Sequence, residues 1–98
     1  ARGFAVYVAR SCSAASKRLA RTICDLAISR GLRGNRAVPS EHYWQANFYV
    51  LRNTACPAIL TENLFQDNRD DVEFLSSQAG KEAVATLHLD AIKQHFAK

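Results

Sequence analysis

PAILTENLF, residues 57–65, opens with a proline, passes through a short apolar run and then meets a carboxylate, Glu62, followed at once by Asn63 and another apolar pair. A few apolar residues bounded by turn formers read as a buried strand, here 57–62. The acid at its end has two readings. In one the strand has stopped, and Glu62 is solvated or paired with an arginine. In the other a rigid strand projects the carboxylate into a cleft at the sheet edge, where ligands sit in α/β proteins. Position alone leaves both open.

Working outward, FYVL at 48–51 reads as a second strand, separated from the first by residues 52–56. A parallel crossover needs about a dozen residues, so if these two strands pair they pair antiparallel. The segment 32–46 shows no clean period and contains Gly34, Asn35, Pro39 and Ser40, the signature of a long loop. An antiparallel pair would bring this loop, with His42, Tyr43 and Trp44, beside the exit of the second strand, where Glu62 stands.

Towards the N-terminus, GFAVYVA at 3–9 mixes aromatic and β-branched residues over a strand's length. Ser11 or Ser13 then caps a helix over 14–30, whose Ala15, Leu19, Ile23, Leu26 and Ala27 recur at helical spacing. Lys17, Arg18, Arg21 and Asp25 fall off that stripe, and Gly31 supplies the stop. Downstream, Asn68 stands three residues before Asp71, a capping-box-like arrangement for a short helix through Leu75. Ser77 caps a last helix, on which Ala83, Val84, Leu87, Ala91 and, one row over, Leu89, Ile92 and Phe96 predict a broad buried face. The pattern predicts an α/β fold, a mixed sheet flanked by helices.

Ninety-eight residues make one domain at most, and a hydrophobic fraction of 48% suits a single modest core. No run approaches the roughly 18 apolar residues of a membrane span, so no transmembrane segment is expected. The chain starts at Ala1 with a strand almost immediately and has no methionine, which reads as a cut end. A net charge of +4, with arginines clustered between Arg30 and Arg36, could suit an anionic polymer or be a solvated surface. No nucleic-acid motif accompanies it, and no nucleic-acid partner is expected.

Cys12, Cys24 and Cys56 are an odd count without a C-x-x-C pair, and read as small buried or half-buried thiols rather than a metal or redox site. His88 and His95 lie seven apart, whereas a helical metal pair wants three or four, and His42 has no ligand partner nearby in sequence. No metal ligand is assigned to this chain.

The stretch NFYVLRNTACPAILTENLFQDN, residues 47–68, resembles the closing segment of the zinc-dependent N-acetylmuramoyl-L-alanine amidases, which are peptidoglycan hydrolases. The family pattern there is a VLR-type strand, PA with three residues and a Glu, then a short apolar segment and a loop. The likeness extends along nearly the whole chain: GFAVYVAR resembles the strand after the family's second metal histidine, 14–30 its next helix, and 70–96 its terminal helices. The resemblance implies that residues 1–98 are the C-terminal part of one catalytic domain and that Glu62 is catalytic. The family's His, Glu and His zinc ligands lie upstream of the matched region, so zinc is expected to be held by the N-terminal half of the same domain, and this chain alone is expected to be inactive. The implied substrate is peptidoglycan, with Tyr43 and Trp44 as rim contacts, and the implied location is the bacterial cell envelope, periplasmic or secreted. The alternatives are a non-catalytic cell-wall-binding or interaction module on the same framework, a basic nucleic-acid-binding domain, and a different zinc hydrolase.

Overall fold

The computed structural model describes residues 3–10, 12–32, 43–46, 51, 57–64 and 68–97. Strand β1 is Phe4–Val8, helix α1 is Ala14–Ser29, strand β2 is Trp44–Gln45, strand β3 is Leu60–Asn63, and helices α2 and α3 are Arg69–Ser76 and Gln78–Phe96. The three strands form one mixed sheet in the order β2-β1-β3. The α/β class expected from the sequence is therefore the fold observed.

Each helix starts where a side-chain oxygen can satisfy an amide of the first turn. Ser13 caps α1 by accepting from the Ser16 amide at 3.1 Å, and Ser11, the other candidate, lies outside the described residues. Asn68 caps α2 through the Asp71 amide, and Ser77 caps α3 through the Gly80 amide at 2.9 Å. After α1 the chain turns at Gly31, whose φ of +74° is open to glycine at no steric cost. Leu32 then donates to the Ala27 carbonyl and accepts from the Phe4 amide at 2.8 Å, which returns the chain to the foot of β1.

The face of α1 turned to the sheet is Ser16, Ala20, Ile23, Cys24 and Ala27, one row over from the sequence stripe, with Leu19 and Leu26 half-buried at its margin. Small side chains in this row let the helix approach β1 closely, and Phe4, Val6 and Val8 meet them with Leu87 and Ala91 of α3. Lys17, Arg18, Arg21 and Asp25 are exposed, as their positions predict.

Four expectations change. Within the predicted loop, Trp44–Gln45 pairs in parallel with β1, Tyr7 opposite Trp44, with α1 as the crossover that a parallel pair requires. Of the predicted strand 48–51, only Leu51 is among the described residues, and it is buried and helical; a short apolar run does not by itself distinguish a strand from a buried helical turn. The strand expected at 57–62 is observed at Leu60–Asn63, so Glu62 lies within it rather than at its end, and it pairs antiparallel with β1. On α3, Leu87 and Ala91 are fully buried, but Leu89, Ile92 and Phe96 are 50%, 51% and 75% exposed, because that row turns away from α1 and the sheet.

Candidate functional site

The register of the antiparallel pair decides where the acid points. Phe4 lies opposite Asn63, Ala5 opposite Glu62, Val6 opposite Thr61 and Tyr7 opposite Leu60. Directly opposed residues share a face, and faces alternate along a strand. Phe4, Val6 and Val8 pack into the core with α1 and α3, so Thr61 and Asn63 face the helices. Glu62, with Ala5, Tyr7, Leu60 and Trp44, lies on the other face.

Glu62 is exposed and stands beside the smallest side chain available in that row, Ala5. Tyr7 is one same-face step along and one strand across. Its ring lies 6.1 Å from that of Trp44 at 37°. Two strand spacings and two residue rises put Trp44 on the order of 12 Å from Glu62. Tyr43, by contrast, packs half-buried against the core and lines a cleft of about 250 Å³ with Lys17, Arg18 and Arg21. The structure thus separates the predicted pair: Trp44 shares the sheet face of Glu62, and Tyr43 does not. His42 and Cys56 lie outside the described residues.

Several polar contacts hold β3 and its neighbours in place, and none was singled out from the sequence. The buried Ser16 hydroxyl accepts from the Ala58 amide at 3.0 Å, anchoring the segment that leads into β3. Asp71 is buried and accepts from the Gly3 amide at 2.9 Å, tying α2 to the foot of β1. His88 reaches Thr61 on β3 at 3.0 Å and the Val84 carbonyl at 2.8 Å. The only sequence signal for Ser16 was its place four residues before Ala20, on what proved to be the buried row.

The titratable groups narrow the chemistry. Burial, reinforced by the neighbouring Asp25 carboxylate, pushes the Cys24 thiol up to about 11, so it stays protonated at neutral pH and is no nucleophile. Cys12 is half-buried. His95 packs edge-on against Phe96 at 5.1 Å. Among the described residues no group of three His, Cys, Asp or Glu side chains could hold a metal ion, and both ring nitrogens of His88 are engaged in the contacts above.

A family model described as N-acetylmuramoyl-L-alanine amidase matches residues 1–94. The chain belongs to this amidase family. Among its relatives, an N-acetylmuramoyl-L-alanine amidase of Bacillus licheniformis, CwlM, is 49% identical over 51 residues, covering 52% of this chain and 20% of the relative. An endolysin of Bacillus phage SPP1 is 45% identical over 49 residues, covering 50% of this chain and 18% of the endolysin. The crystal structure of an N-acetylmuramyl-L-alanine amidase from Mycobacterium abscessus superposes with a TM-score of 0.87 at 19% identity, covering 98% of this chain and 48% of that one. The CwlD amidase of Clostridioides difficile gives 0.80 at 18% identity, covering 97% and 46%. This amidase-family chain therefore spans about half the length of these solved amidases and about a fifth of the curated relatives. No helix among its described residues is long and apolar enough to cross a membrane.

Proposed function

We propose that this chain is the C-terminal part of an amidase catalytic domain that hydrolyses the amide bond between the lactyl group of N-acetylmuramic acid and the L-alanine of the stem peptide in peptidoglycan. The observation that carries the reading is the family match over residues 1–94 together with the register that turns Glu62 to the face of the sheet opposite α1 and α3. A carboxylate on a rigid strand can act as general base and then general acid. Glu62 takes a proton from the attacking water, whose oxygen adds to the lactyl carbonyl. It then returns that proton to the nitrogen as the C–N bond breaks, leaving a lactyl carboxyl group and the free amine of L-alanine.

Trp44, on the order of 12 Å from Glu62 on the same face, supplies a flat apolar surface for the substrate, with Tyr7 between the two. Tyr43, beside Lys17, Arg18 and Arg21, is a rim contact for the anionic polymer at the edge of the sheet. The substrate places the protein in the cell envelope, periplasmic or secreted.

The described residues do not fit a zinc site, since a catalytic zinc takes three protein ligands. Zinc is proposed as the cofactor of the whole domain, bound by the N-terminal half. The test is product analysis. The full-length protein carrying this chain should release stem peptides with free L-alanine amino termini from purified peptidoglycan, leave the glycan strands uncut, and lose that activity to a chelator. Binding of peptidoglycan with no new amino termini would make it a wall-binding module instead, and new reducing ends would make it a glycan-cleaving enzyme. Activity that survives chelation would remove zinc from the proposal.

A further inference from the structure

Behind Glu62, on the helix side of β3, a chain of side chains runs from α3 into the strand. His88 Nδ1 lies 2.8 Å from the Val84 carbonyl, and Nε2 lies 3.0 Å from Thr61 Oγ1. Asn63 Nδ2 donates to the same Thr61 oxygen at 3.2 Å. Thr61 and Asn63 flank Glu62 in sequence, one on either side.

Hydrogen-bond chemistry fixes one end of this chain. A carbonyl oxygen only accepts, so Nδ1 carries the hydrogen. In the neutral ring Nε2 then accepts, the Thr61 hydroxyl donates to it, and the Thr61 lone pair takes the Asn63 amide hydrogen. The rest of the ring borders apolar surroundings. Phe4 meets it edge-on, 6.4 Å between centroids, and the adjacent 180 Å³ cavity is lined by Leu19, Ile23, Ile59, Thr61, Ala91 and Ile92, without a charged group. Asn63 Oδ1 is buried with no hydrogen-bond partner among the described residues, so the amide is held by its Nδ2 contact alone.

We propose that His88 is a positioning residue for Glu62: in its Nδ1–H form it orients the Thr61 hydroxyl, which orients Asn63, and the two residues flanking Glu62 are thereby locked to α3. The proposal rests on the assignment of Glu62 as the proton carrier. It adds that the direction of this carboxylate is set from the opposite face of the sheet, through residues that touch neither substrate nor metal.

The test uses the full-length protein carrying this chain, with histidine-selective ¹⁵N labelling and steady-state hydrolysis of peptidoglycan fragments. Wild type should show His88 as the Nδ1–H tautomer, and Thr61→Val, nearly isosteric, should reduce that preference. Thr61→Val and His88→Phe should each lower kcat about tenfold with KM unchanged, since displacement of a catalytic group acts on the reacting geometry. The double variant should be no slower than the worse single one. His88→Gln, whose amide oxygen can accept from Thr61, should recover part of the rate. A dominant Nε2–H tautomer in wild type would overturn the proposal, as would additive losses, or wild-type kcat in folded Thr61→Val. Full activity in Glu62→Gln would instead remove the underlying assignment of Glu62, so the two failures are distinguishable.

Discussion

Leu64, one residue past β3, holds a φ of +73°, a region that costs a residue with a Cβ about 1–2 kcal/mol and glycine almost nothing. The usual ranking of alanine over glycine should therefore invert here. Leu64→Gly should be more stable than Leu64→Ala by about 1 kcal/mol in chemical denaturation, and the ordinary order would show that the left-handed backbone is not retained. Asp71 offers a second single-residue test. Asp71→Ala leaves the Gly3 amide without its acceptor and should cost about 1–3 kcal/mol, whereas Asp71→Asn keeps an acceptor oxygen and should cost less. Cys24 gives a pH signature. Its thiol is raised from 9.0 to about 11, so the unfolded chain ionises first as the solution becomes alkaline. Stability should fall as pH rises from about 9 through about 11, and the Cys24→Ala variant should lose that part of the slope.

At the scale of elements, α2 and α3 meet at a close backbone approach. A Cβ on Gly80 would collide with the carbonyl of Phe74, so Gly80→Ala should cost about 1–3 kcal/mol or more, seen as a lower Tm, although alanine is the better helix former. Ser16→Ala should cost about 1–2 kcal/mol by orphaning the Ala58 amide, and should loosen the lead into β3 in hydrogen exchange. These contacts also mark what was legible in the sequence. Strand β1, helix α1 and the caps at Asn68 and Ser77 could be read directly, with Ser13 as one of two candidates, because period and capping are local properties. The sheet order could not. The partner of Glu62 is Ala5, 57 positions away, and nothing in the run PAILTE names it. FYVL was assigned to a strand on β-propensity, yet Leu51 is helical, because tertiary burial overrides a weak local preference. Ser16, His88 and Gly80 were invisible for the same reason: each matters through an element distant in sequence or through the geometry of a turn.

Seen as a whole, the molecule is a sheet with α1 and α3 on one face and Glu62, Tyr7, Leu60 and Trp44 on the other. Glu62 was singled out as the candidate because the surrounding motif carried the family resemblance, its position alone having left both readings open. Tyr43 and Trp44 are adjacent in sequence but diverge in space: Trp44 lies in β2 beside Tyr7, whereas Tyr43, just before the strand, packs against the core. The chain spans 48% and 46% of two solved amidases, and among its described residues no three-ligand metal group is present. The central claim is that Glu62 moves the proton during amide hydrolysis, and the most direct measurement compares full-length protein with its Glu62→Gln variant on purified peptidoglycan. The account predicts that stem-peptide release falls at least about 100-fold while folding and peptidoglycan binding persist; release at the wild-type rate by Glu62→Gln would contradict it.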